Sequence, residues 1–219
     1  MDDDFVDEFP DEIIVDKDFD TKKGKMNLKI EKKYDDDEGL IYLYSSVHSI
    51  EYNPGKEIGK FDFIFCDLLD AEENRSGIMN YMDIDGSTWD MYESLHNHED
   101  ENISTIFDFC ADILLVDKIE VLPEFRGNNL TSIVFEEVDK VFEDKSYINM
   151  LKSFPLQLSA ANKDAEYVVE GWEKEMGYDK LSEKLDEDKA RTKLNEHYKK
   201  QGYEKIKNTE YMYMEKNIR

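Results

Sequence analysis

The sequence predicts a mixed α/β domain, a sheet with both antiparallel and parallel strands flanked by helices. Three observations carry that prediction. Residues 113–122 begin apolar on both faces, run into a helical pattern, and are followed by a second apolar run from 148, which is the order of a β-α-β unit. Two runs rich in Tyr, Val, Ile and Phe, 40–50 and 60–69, flank Asn53-Pro54-Gly55, a strong turn signal, and so read as an antiparallel hairpin. With 219 residues and 40% hydrophobic content the chain is long enough for one sizeable core.

The elements follow in order. Residues 1–20 hold ten Asp or Glu against one Lys, the composition of a flexible acidic arm, although Phe5, Val6, Phe9 and Ile13-Ile14-Val15 allow a short docked segment. Met26, Leu28 and Ile30 alternate with polar residues and open the strands. Residues 71–112 read as an insertion, with helical spacing at 88–96 through Trp89, Met91, Tyr92 and Leu95, and a second short helix at 103–110. Past a tight turn at Pro123, a helix is predicted over 126–145. Leu130, Ile133, Val134, Val138, Val141 and Phe142 make one apolar stripe there. The next strand is predicted over 148–158. Pro155 interrupts it, because proline donates no ladder hydrogen bond. A second insertion, 161–188, contains a helix at 165–176 stopped by Gly177. A helix at 189–201 follows, with Ala190, Leu194, Tyr198 and Gln201 on one stripe and Gly202 as its left-handed cap, and a strand at 210–214 closes the domain.

Composition narrows the partners. A formal charge of −25 repels nucleic acid, which needs a basic footprint, and favours a cationic amine or a basic protein. The two cysteines, Cys66 and Cys110, have neither close spacing nor a His/Cys cluster nearby, so free thiols in a reducing compartment are expected. The Met-Asp-Asp-Asp start has the wrong charge for a secretory signal, and the longest apolar run, 113–116, cannot span a bilayer. A cytoplasmic protein without membrane contact is expected. The sequence sets no oligomeric state and leaves a dimer open. His96-Asn-His98-Glu99-Asp100 sits in a polar loop with no third ligand signalled, so no metal is expected.

The chemistry concentrates in Asp-Lys-Ile-Glu-Val-Leu-Pro-Glu-Phe-Arg-Gly-Asn-Asn-Leu-Thr, residues 117–131. A strand feeds a helix start there, and the free amides and dipole of a helix N-terminus favour an anion. This stretch resembles the acyl-CoA-binding motif of the GNAT (GCN5-related N-acetyltransferase) superfamily, Val-x-Pro-x-x-Arg-Gly-x-Gly-x-Gly/Ala. Val121, Pro123, Arg126 and Gly127 match, whereas Asn129 and Thr131 stand at the two later small positions. His-Tyr-Lys-Lys-Gln-Gly-Tyr over 197–203 resembles the second signature of that family, a tyrosine shortly before Gly-Phe or Gly-Tyr. Trp172-Glu-Lys-Glu-Met-Gly-Tyr is a near-duplicate, but it lacks the tyrosine at that offset, and its Trp172 is read as core. The resemblance spans roughly residues 26–219.

The resemblance implies a GNAT-type fold and acetyl-CoA, or another acyl-CoA, as cosubstrate. It implies that the backbone of Arg126, Gly127, Asn128, Asn129, Leu130 and Thr131 holds the pyrophosphate. It places Ile119, Glu120 and Val121 beside the pantetheine arm and makes Tyr198 the acid that protonates the departing thiolate. No cysteine lies in either motif, so direct transfer to an amine is expected. Glu120 and Asp117 are the candidate bases, on opposite faces of a regular strand. Asn is the best substitute for glycine at position 129 because it tolerates positive φ. The alternative is a GNAT-shaped acidic module that binds a basic protein and performs no catalysis.

Overall fold

The computed structural model describes residues 12–35, 40–67, 86–96, 112–154, 171–177 and 186–216. Among these, eight strands form one mixed sheet: β1 (Glu12–Thr21), β2 (Gly24–Asp35), β3 (Leu40–Ser49), β4 (Glu57–Cys66), β5 (Asp112–Val121), β6 (Tyr147–Lys152), β7 (Glu204–Lys205) and β8 (Tyr211–Lys216). Their spatial order is β1-β2-β3-β4-β5-β6-β8-β7, and only β5 and β6 run parallel. The helices are α1 (Gly86–His96), α2 (Leu130–Val141), α3 (Gly171–Glu175) and α4 (Glu187–Lys200). The expected mixed α/β architecture is present, and β5 and β6 are parallel neighbours, paired from Asp112↔Tyr147 to Val116↔Leu151.

The acidic segment is not wholly a loose arm. Glu12–Thr21 is an edge strand, antiparallel to β2 and pinned by its half-buried Ile14, Val15 and Phe19 against the core. Lys17 also bridges to Glu137 on α2 at 2.7 Å. Residues 1–11 lie outside the described set. The hairpin forms as read: β3 and β4 pair antiparallel, and the Lys56 N–H donates to the Asn53 carbonyl across a turn whose Gly55 has φ 79°.

Two buried clusters face opposite sides of the sheet. On one, Phe61, Phe63 and Phe65 of β4 and Leu114 and Val116 of β5 pack on Val134, Phe135 and Val138 of α2. On the other, Ile64, Ile113, Leu115, Ile148 and Met150 lie under Met91 and Leu95 of α1. β5 is therefore buried on both faces at its start, as a central strand with a parallel neighbour must be.

Helix boundaries moved where backbone torsion forbids helix. The predicted helix from 126 begins only at Leu130, because Gly127 (φ 76°) and Asn129 (φ 62°) are left-handed. Pro123–Phe125 forms a separate 3₁₀ turn instead. The strand predicted over 148–158 ends at Lys152, and 155–158 lie outside the described residues. Helix α4 starts two residues early, capped by Asp186, whose carboxylate accepts from the Lys189 N–H at 3.1 Å. The predicted helix at 103–110, the 165–170 part of the helix predicted over 165–176, and Cys110 fall outside the described residues, and the rest of that second helix is α3, followed by Gly177 at φ 76°.

Candidate functional site

One feature of the sheet creates the site. β5 and β6 pair from Asp112↔Tyr147 to Val116↔Leu151 and no further, while β5 continues against β4 to Val121. Past Val116 the pairing of the two parallel strands stops, so among the described residues the second half of β5 carries no ladder on that edge. A bulge marks the same point. Asp62 pairs with Lys118 and Phe63 with Val116, leaving Asp117 as the extra residue.

A cavity of about 540 Å³ occupies the opening. Its walls are Ile119 and Val121 of β5, the loop residues Phe125, Arg126, Gly127 and Asn129, Leu130 and Thr131 of α2, and Leu194, His197 and Tyr198 of α4, closed by Phe154 and Met176. The strand end, the helix start and the late tyrosine signature thus meet at one place although 77 positions separate Val121 from Tyr198.

The loop is held by its own backbone contacts. Arg126 Nε donates to the Val121 carbonyl at 2.9 Å, and Asn128 Nδ2 donates to the Phe125 carbonyl at 2.8 Å. Asn128 braces the turn and is not a cavity wall. At the head of α2 the cap residue Asn129 makes no side-chain capping bond, so the first-turn amides keep their donors toward the cavity end of the helix. Beyond its chain neighbours, a Cβ at Gly127 would meet no atom of the described residues within 4 Å, which puts open space beside that backbone.

The α4 wall is tied to the α2 wall. Gln201 Nε2 donates to Ser132 Oγ at 3.3 Å and lies 3.2 Å from His197 Nε2. Burial, and secondarily Lys200, holds the His197 imidazole below its ordinary pKa, so it is neutral at pH 7. Burial raises the Tyr198 phenol well above its ordinary value, so it stays protonated.

The two expected bases stand elsewhere. Glu120 is buried and points away from the cavity: its Oε2 accepts from Trp172 Nε1 at 2.8 Å and from Lys118 Nζ at 3.1 Å. Asp117 is exposed in the bulge and is not a cavity wall. The bulge also breaks the regular alternation on which the opposite-faces expectation rested. Trp172 is half-buried against the main core, with Lys60 Nζ 4.8 Å above its ring. Trp172→Phe should therefore destabilise the protein by about 1–3 kcal/mol in chemical denaturation, because it strips a donor from a buried carboxylate.

Phe125, Phe154, Met176 and His197 were not read as site residues from the sequence, and Leu194 was read only as part of the stripe of its helix. His197 was the readable one, standing next to Tyr198 on the same helix. The side chains of 96–100 lie outside the described set, and among the described residues no group of three His, Cys, Asp or Glu could hold a metal ion. No helix among the described residues is long and apolar enough to cross a membrane. No family model, curated protein or solved structure matches the chain.

Proposed function

We propose that this chain is an acyl-CoA-dependent N-acetyltransferase of the GNAT type, passing an acetyl group directly to an amine. The observation that carries this reading is the cavity at the β5–β6 opening, walled by both resembled signatures and by a strand edge that has no ladder partner among the described residues. Bound acetyl-CoA would supply a thioester as the activated acyl group.

The chain's own residues fit that ligand. The free edge of β5 at Ile119–Val121 offers backbone donors and acceptors to an amide-bearing arm, as an added strand would. The left-handed bend at Gly127 and Asn129 brings loop backbone to the head of α2, where amides and helix dipole oppose the repulsion that a −25 chain exerts on a polyanion. Arg126 adds a local positive charge. Phe125, Leu130 and Met176 supply apolar wall, and Tyr198 stands with its proton retained.

Calorimetric titration with acetyl-CoA tests the reading. Saturable binding at micromolar to submillimolar concentration is expected, and no heat and no thermal shift at millimolar ligand would remove it. The net charge favours one competitor, an acidic module that captures a basic protein; capture of such a partner together with no acetyl-CoA response would establish it. The replacements at 129 and 131 give a graded check. Asn129→Gly with Thr131→Ala should tighten acetyl-CoA several-fold, since glycine adopts the left-handed torsion without cost and both changes clear space at the helix head.

A further inference from the structure

On the face of the sheet away from the cavity, side chains of four strands line up in register. Glu31, Tyr44, Asp62 and Lys118 form one row across β2, β3, β4 and β5, and Lys29, Ser46, Lys60 and Glu120 form the next. These rows, without the buried Glu120, wall a trough of about 590 Å³ that also takes in His48 and Glu57. In a chain of net charge −25 the trough is balanced, with Lys29, Lys60 and Lys118 against Glu31, Glu57 and Asp62.

The pairing within it is incomplete. Glu120 holds Lys118 and Glu57 holds Lys60. Among the described residues, the side chains of Asp62, Lys29 and Glu31 make no hydrogen bond or ion pair, and the Nδ1 of His48 is buried with no partner. A half-buried carboxylate without a partner costs stability and is retained where a ligand uses it. The trough ends on Lys118 of β5, whose next residue, Ile119, walls the cavity on the other face. The trough and the cavity thus adjoin the same strand, β5, from opposite faces at consecutive residues.

Resting on the acyltransferase reading, we infer that this trough seats the acceptor, that the acceptor is an amine which also bears a carboxylate, such as an amino acid or short peptide, and that Asp62 takes the amine's proton. Lys29 and Lys60 face the carboxylate, and the ammonium lies toward Asp62. One N–H proton passes to Asp62, the freed nitrogen pair attacks the thioester carbonyl, the C–N bond forms and the C–S bond breaks. The thiolate takes the Tyr198 proton, and the second proton leaving nitrogen restores Tyr198 through water. Asp62 returns its proton to solvent.

Burial pushes the Asp62 carboxyl up to about 6 from 3.8. Lys118 and Lys60 oppose that shift, and Asp117 and Glu120 add to it. Glu57 on its own strand, Tyr44 and His48 on β3, and Lys29 and Glu31 on β2 are the other charged and titratable groups that wall the trough among the described residues. Turnover therefore rises as pH increases through about 6, where Asp62 ionises.

The test uses the full chain with Asp62→Asn and Lys29→Met, and glycylglycine, glycylglycinamide and N-acetylglycylglycine within a panel of free amino acids and glycyl dipeptides. Asp62→Asn should lower kcat/KM at pH 7 at least about tenfold and abolish the limb near pH 6. It should also raise the melting temperature at pH 7, a gain that shrinks as pH falls toward 3.8, where the carboxyl is neutral in folded and unfolded chains alike. A carboxylate with only a structural role would give the opposite sign. Lys29→Met should raise KM for glycylglycine and leave that for its amide unchanged. Carboxyl-detected NMR of the free protein reads the site without acetyl-CoA: the panel's amines should shift the Asp62 resonance, and the N-acetyl compound should not. If acetyl-CoA binds and no panel member moves Asp62, the acceptor proposal falls alone. Amine binding without acetyl-CoA binding leaves the trough as a ligand site and removes the acyltransferase reading. Destabilisation by Asp62→Asn, or an intact pH limb, overturns the role of Asp62.

Discussion

Tyr198→Phe should lower turnover on the order of a hundredfold while leaving acetyl-CoA affinity nearly unchanged. The phenol walls the cavity from the C-terminal end of α4, and the change removes the hydroxyl with its proton and keeps the ring. Among the described residues the hydroxyl makes no hydrogen bond, so the fold loses none, and the unfolding free energy should stay within about 0.5 kcal/mol of the parent. Because burial keeps the phenol protonated, the acid should show no loss of function on the alkaline side up to its ordinary value of 10. Steady-state kinetics with thiol release as readout decides the matter. A variant that turns over at the parental rate removes the general-acid role, and one that loses acetyl-CoA binding shows that the ring, not its proton, is what matters.

The sequence carried the sheet and the junction well because both are written in short-range patterns. Alternation at Met26, Leu28 and Ile30, the Asn-Pro-Gly turn and the apolar stripe from Leu130 to Phe142 each act through neighbours a few positions away. The left-handed torsion at Asn129 was likewise readable, since few residues other than glycine and asparagine tolerate it. What failed depends on distant pairing. Edge strand β1 looks like an acidic arm because its outward positions are Asp16, Asp18 and Asp20. Asn27 and Lys25 on β2 receive the first two, and no window of sequence shows that. The bulge at Asp117 arises from the match between β4 and β5, and it decides which way Glu120 points. Glu120, chosen for standing in the motif, is thereby turned away from the cavity toward Trp172 and Lys118, a direction that depends on the pairing of two strands and not on the motif itself.

Gly127→Val should weaken acetyl-CoA binding on the order of a hundredfold, through a different mechanism from Tyr198→Phe. Gly127 has φ 76°, a torsion that costs a β-branched residue about 1–3 kcal/mol. Beyond its chain neighbours, no atom of the described residues stands within 4 Å of the added Cβ, so the packed core does not object, and the new side chain projects into the open space at the head of α2. The stability loss should stay within that torsional cost, because the loop retains its anchors at Val121 and Phe125. The affinity loss should exceed it, since a branched side chain blocks the close approach on which charge-assisted hydrogen bonds from backbone amides depend, and each such bond is worth about 1.5–3 kcal/mol. Calorimetry on Gly127→Ala and Gly127→Val separates the two contributions. Alanine carries most of the torsional strain with little bulk, and valine carries both. Equal affinities for the two variants would mean that strain alone acts and that no ligand approaches this backbone; a stepwise loss from glycine to alanine to valine is the expected result. Tyr198→Phe and Gly127→Val should then divide cleanly, the first acting on the rate of a bound complex and the second on its formation. An acidic binding module with no acyl-CoA chemistry would feel neither change beyond the small stability cost at Gly127.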